Sequence, residues 1–232
     1  MKNIIPEISR LLENSQFDWA VCGGFAIDLF VGNCTRDHQD LDITAFWEDR
    51  SSVIGFMLNA NWRVFEACGG GRIHELLAGS DSTGARRNLF CFPSGNTRCQ
   101  LAHIEGDSYQ FSLASEAQQD LDYVEFLFCE RDADFLYYAR NKCIKREAGK
   151  AIIDLDGTAI LTPEIVLLYK STFCGYLEAT DIRTNDSIRS HRHDFAVSLP
   201  SMNQEQRLWL KEALETEYPN GHEWLQQLSS NT

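Results

Sequence analysis

Apolar residues at Ile4, Ile5, Ile8, Leu11 and Leu12 recur at helical spacing, so the chain predicts an opening helix, with Pro6 tolerable in a first turn. Phe17 to Cys22 reads as a buried strand that ends at Gly23-Gly24. A short helix is expected from Phe25 to Phe30, closed at Val31-Gly32-Asn33 by residues that favour a left-handed stop. Leu41 to Trp47 predicts a second strand, Asp49 to Ala60 a covering helix, and Trp62 to Ala67 a third strand.

Beyond Cys68 the pattern weakens. Gly69-Gly70-Gly71 and the polar stretch Gly79 to Ala85 are turn or loop material, while Asn88 to Phe92 and Arg98 to Ile104 predict short strands. Leu121 to Glu130 is a strongly apolar strand apart from its inset acids, and a small strand is expected near Ile152-Ile153. Thr162-Pro163-Glu164 then opens a helix running to about Ser171, Ile188 to Leu199 suggests another, and Asn203 with Gln206 forms a capping box before Leu208, Trp209 and Leu210. The expected division is a mixed α/β part over residues 1–161 and a helical part over residues 162–232.

The second strand carries the first chemical signal. Side chains at i and i+2 of a strand share a face, so Asp40 and Asp42 point together into one site while Leu41 and Ile43 face a core. Two like charges held that close repel unless divalent cations sit between them, and hard oxygen ligands of this kind suit magnesium. Gly23 and Gly24 stand where a strand turns into a helix, a place where glycine commonly serves a turn and can also let a backbone approach a ligand without a Cβ in the way.

Composition narrows the partners. The 232 residues carry a formal net charge of −13, which argues against a broad nucleic-acid surface and fits a cationic small substrate better. No apolar run approaches the roughly 20 residues of a membrane span, and no signal-peptide stretch is present at Met1 to Glu7, so a cytoplasmic location and no membrane partner are expected. The eight cysteines are scattered with no Cys-x-x-Cys pair and read as free thiols.

Gly23-Gly24-Phe25-Ala26-Ile27-Asp28, Thr35-Arg36-Asp37-His38 and Asp40-Leu41-Asp42-Ile43 together resemble the signature of the nucleotidyltransferase superfamily, in the branch of aminoglycoside 2″-adenylyltransferase-like and lincosamide nucleotidyltransferase-like proteins. Thr162 to Lys170, His193-Asp194-Phe195 and Arg207 to Leu214 are similar to the helical half of bacterial members of that branch. The resemblance implies an α+β, polymerase-beta-like mixed sheet with flanking helices and a C-terminal helical region. It also implies adenylyl transfer from ATP to a hydroxyl of a small molecule, possible acceptors being cationic aminoglycosides or lincosamides, with two magnesium ions bridged by paired carboxylates.

The superfamily's third carboxylate comes from a neighbouring strand in a hydrophobic-acid-hydrophobic setting. Val124-Glu125-Phe126 matches that setting, which makes Glu125 a candidate metal ligand or general base, with Asp122 as its rival on the opposite strand face. Resemblance further suggests Arg36 and Lys170 as nucleotide-phosphate contacts, against readings as an ordinary loop residue and as a lysine snorkelling to solvent. His191, His193 and Asp194 are read as a solvated helix, and Arg86-Arg87 and Lys145-Arg146 as surface charge. Two alternatives stay open: a nucleotidyltransferase acting on a protein or tRNA in a toxin-antitoxin-like pair, and a non-catalytic nucleotide-binding relative. The second is favoured if neither Glu125 nor Asp122 reaches Asp40 and Asp42.

Overall fold

Helical periodicity at the N-terminus becomes α1 (Ile4–Leu12), with Ile4, Ile5, Ile8 and Leu12 buried, in a computed structural model that describes residues 4–78, 87–96, 99–113, 118, 120–174 and 182–229. The expected loop at Gly79 to Ala85 and the residue Arg86 lie outside the described residues. The chain gathers into two units, one from Met1–Val21 and Arg36–Glu130, the other from Cys22–Thr35 and Arg131–Thr232. Among the described residues no helix is long and apolar enough to cross a membrane.

In the first unit the expected strand at Phe17 to Cys22 shortens to β1 (Ala20–Val21), and α2 (Gly23–Val31) then belongs to the other unit. The chain returns through β2 (Asp42–Phe46), a 3₁₀ turn, and α3 (Arg50–Asn59). β3 (Trp62–Gly69), β4 (Arg72–Leu76), β5 (Leu89–Pro93), β6 (Cys99–Glu105), β7 (Ser108–Leu113) and β8 (Val124–Arg131) follow. Within this unit the strand order is β1-β2-β8-β5-β3-β4-β7-β6. β2 and β8 pair in parallel and the remaining neighbours antiparallel, so the sheet is mixed as expected.

The Gly69-Gly70-Gly71 turn joins β3 to β4 with φ of 80°, 60° and 72°, a left-handed path open to glycine alone without strain. The core includes Val53 and Met57 of α3 and an edge-on pair, Phe17 and Phe56, with ring centres 5.7 Å apart. A second cluster joins Phe65, Phe92 and Tyr123 with Phe90, Tyr109 and Phe111 of the strands around them. Phe65 of β3 stands opposite Phe90, and the aromatics that alternate along β5 and β7 meet it on the same side of the sheet.

The second unit adds β9 (Phe135–Tyr137), β10 (Lys145–Glu147), α4 (Ala148–Ala151), β11 (Ile152–Leu155) and β12 (Thr158–Leu161). Its helices are α2 with α5 (Pro163–Cys174), α6 (Ile182–Ser198), α7 (Gln204–Glu217) and α8 (Leu225–Ser229). α5 packs against α2, α6 and α7. The capping box opens α7 as expected: Asn203 accepts from the Gln206 backbone at 2.9 Å, and the Gln206 side chain accepts from the Asn203 backbone at 3.0 Å.

Three residues in this unit correct expectations. Arg146 is not surface charge: only 6% exposed, it donates to Glu164, which is fully buried. Nor does Lys170 snorkel, for its ammonium lies 2.8 Å from Asp194. Asp194 is itself fully buried, on the helix expected to be solvated. None of the seven described cysteines is in a disulfide; the side chain of Cys174 lies outside the described residues.

His222 yields a pH prediction. Its Nε2 donates to the Ser171 carbonyl at 3.1 Å and its Nδ1 accepts from the Trp224 backbone at 3.2 Å, a pattern that suits the neutral ring. Burial pushes its pKa below the ordinary value. Because the folded pKa is depressed, the stability it contributes is present above about pH 6.5 and is lost as pH falls through the native value. Urea midpoints measured from about pH 7.5 down to about pH 5 should fall more steeply for the wild type than for His222→Asn.

Candidate active site

The parallel pairing of β2 with β8 sets Asp42 directly opposite Glu125, and the Glu125 amide donates to the Leu41 carbonyl at 2.9 Å. Regular β2 begins at Asp42, so Asp40 lies on the segment that enters it rather than inside the expected strand. The alternation still holds, because Leu41 and Ile43 are fully buried while Asp42 is only half so. Asp40, Asp42 and Glu125 thereby offer carboxylate oxygens that lie within 4.8 Å of one another.

Crowding of this kind has an electrostatic signature. Burial raises the Glu125 pKa well above the ordinary carboxylate value, and Asp42 and then Asp40 raise it further. Hydrogen bonds from Tyr123 and Asn88 pull the other way, the Tyr123 hydroxyl lying 3.3 Å from Glu125 Oε2. Tyr123 is pushed up as well, by its own burial first and then by the three carboxylates, so it stays a hydrogen-bond donor. An all-oxygen, anionic donor set fits a hard divalent cation, which would relieve the repulsion the cluster otherwise carries.

Asp122 is not in the cluster. Its amide bonds the Asp120 carbonyl at 2.9 Å in the turn before β8. With Glu125 at hand, the feature that would favour a non-catalytic relative is missing from this site. Arg36 is half-buried and its guanidinium donates to the Asp37 carbonyl at 3.0 Å. Gln118, which the sequence reading passes over, is buried and ties the segment leading to Asp40 to the start of β8. Its amide donates to the His38 carbonyl at 2.7 Å and its side chain to the Tyr123 carbonyl at 2.9 Å. No sequence signal marks it, because it sits where the pattern is weakest.

In the second unit Gly23 and Gly24 open α2 itself, which begins two residues earlier than expected, and Gly23 takes a φ of 63°. Asp28, buried within α2, accepts from the Thr35 amide at 3.0 Å and the Thr35 hydroxyl at 2.6 Å. The acid of the Gly-Gly motif therefore fastens the loop that follows its own helix. Gly32 closes α2 with a φ of 78°, as the stop signal implied. Lys170 is engaged by Asp194 as described.

A family model described as aminoglycoside-2″-adenylyltransferase matches residues 4–124, more than half of the chain. The matched stretch holds Gly23, Gly24, Arg36, Asp40 and Asp42, and stops one residue short of Glu125. A solution structure of the antibiotic-resistance factor ANT(2″)-Ia is similar over 93% of this chain and 91% of that one, at 14% identity and a TM-score of 0.50. A crystal structure of ANT(2″)-Ia in complex with adenylyl-2″-tobramycin is similar over 92% of this chain and 96% of that one, at 13% identity and a TM-score of 0.53. At such identities the likeness shows a common fold. Among curated proteins, none matches by sequence.

Proposed function

The chain belongs to the aminoglycoside-2″-adenylyltransferase family and is a nucleotidyltransferase, and we propose that it transfers AMP from ATP to a hydroxyl of a small cationic acceptor such as an aminoglycoside or lincosamide. The observation that carries this reading is the convergence of Asp40, Asp42 and Glu125. In the proposed reaction the acceptor oxygen bonds to the α-phosphorus of ATP, the bond to the β-phosphate side breaks, and pyrophosphate leaves with the electron pair. Glu125, which reaches the two aspartates from the neighbouring strand, takes the hydroxyl proton.

Asp40, Asp42 and Glu125 would hold magnesium, which when bound neutralises charge on the triphosphate and acidifies the acceptor hydroxyl. For the nucleotide the proposed contacts are the backbone at Gly23 and Gly24 and the side chains of Arg36 and Lys170. The positive φ of Gly23 supports the first of these, since a side chain there would be strained. Lys170 reaches a phosphate only by sharing or leaving Asp194. A net charge of −13 supports a cationic acceptor, which it would attract at low ionic strength.

The test is incubation with each labelled nucleoside triphosphate, magnesium and a panel of aminoglycosides and lincosamides, followed by pyrophosphate release. Acceptor-dependent release that is fastest with ATP is the expected result. Absence of release with every pair overturns the small-molecule reading.

A further inference from the structure

Asp40 and Asp42 share one stretch of backbone, whereas Glu125 reaches the cluster from another strand on a longer side chain with one more rotatable bond. Its aim therefore needs support from outside the cluster. Resting on the function proposed above, we propose that Tyr123 is a positioning residue, whose hydroxyl holds one oxygen of Glu125 and so aims the carboxylate at Asp40 and Asp42.

The ring is built to hold still. It is 1% exposed and lies nearly parallel to two phenylalanines, with centres 4.9 Å from Phe92 and 6.0 Å from Phe90. Phe90 is in turn the residue directly opposite Glu125 in the β5–β8 ladder. The Tyr123 carbonyl is held by the Gln118 side chain at 2.9 Å. A ring gripped on its faces and at its backbone delivers its hydroxyl to one place, and that place is 3.3 Å from Glu125 Oε2. Two residues apart on extended chain, Tyr123 and Glu125 project from one side, so the contact follows from the strand geometry. Fixing one carboxylate oxygen fixes the direction of the other, which is how groups behind a metal ligand tune affinity.

Tyr123→Phe removes the hydroxyl and keeps the stack, so the urea midpoint should stay near that of the wild type. Affinity for Mn²⁺, followed by the electron paramagnetic resonance signal of the free ion with a non-hydrolysable ATP analogue present, should fall about 10-fold. kcat should fall by about the same factor with the acceptor KM unchanged. An unchanged Mn²⁺ affinity overturns the positioning role, and so does a lowered urea midpoint with normal affinity, which would make Tyr123 a packing residue only. Asp42→Asn separates the two levels of the argument. If that variant loses Mn²⁺ while Tyr123→Phe does not, the inference about Tyr123 fails alone; if it binds Mn²⁺ as the wild type does, the metal centre itself fails.

Discussion

Asp42→Asn is expected to fold normally and to lose turnover by roughly 1,000-fold, because a bound cation supplies several kcal/mol at the transition state and each 1.4 kcal/mol or so is a factor of ten. Fold and activity should part company because the carboxylate is a liability until a cation arrives. Asp42 stands among three acids within 4.8 Å, where it pushes the Glu125 pKa up. Its replacement relieves repulsion, so without metal the variant should unfold at the same urea concentration as the wild type or a higher one. Added magnesium with nucleotide should raise the wild-type midpoint by mass action and leave the variant's where it was. A near-normal pyrophosphate release rate in Asp42→Asn would exclude this carboxylate as a metal ligand.

Arg146→Ala is expected to cost about 3–5 kcal/mol of stability, the largest single loss foreseen for this fold, because it strands a buried carboxylate. The Arg146 guanidinium lies 3.0 Å from Glu164 and 3.1 Å from Glu205, and Glu164 is fully buried at the start of α5. Burial already raises the Glu164 pKa, with Arg146 acting against that rise. Without its partner the acid is favoured as the neutral form in the folded state, so the contribution it makes is best below the unfolded value of about 4.3 and is lost as pH rises. The deficit of the variant, read from urea unfolding, should therefore be large at neutral pH and shrink as pH is lowered. Arg146→Met combined with Glu164→Leu should recover much of the loss, since apolar packing replaces the whole pair. If the double variant is as unstable as the single one, the cost lies in packing and not in the unpaired charge.

What could be read from the sequence was whatever announces itself by local periodicity or by charge in an apolar setting. The aspartates of Asp40-Leu41-Asp42-Ile43 alternate with residues that are fully buried in the fold, and Glu125 stands in the same kind of alternation on β8. The Asn203 and Gln206 capping box is equally local, and so is legible. β4 and β7 were missed although Tyr109, Phe111 and Leu113 mark every second position of β7. Their glycine-rich and polar surroundings masked a period of two. Arg146 and Asp194 escaped for a different reason: a lone charge looks solvated until a distant element supplies its partner, here Glu164 and Lys170.

The parallel rung between β2 and β8 also sets the order in which the protein becomes competent. Thr44 and Leu127, opposite one another in that ladder, are 83 positions apart in the chain. Closing so long a loop costs entropy before any contact repays it, and pairing of this kind is intrinsically slow. A nascent polypeptide still waiting for β8 to leave the ribosome carries two of the three acids and cannot yet assemble the third beside them. Maturation of the centre thus waits on translation of a strand whose paired residue lies 83 positions downstream of β2.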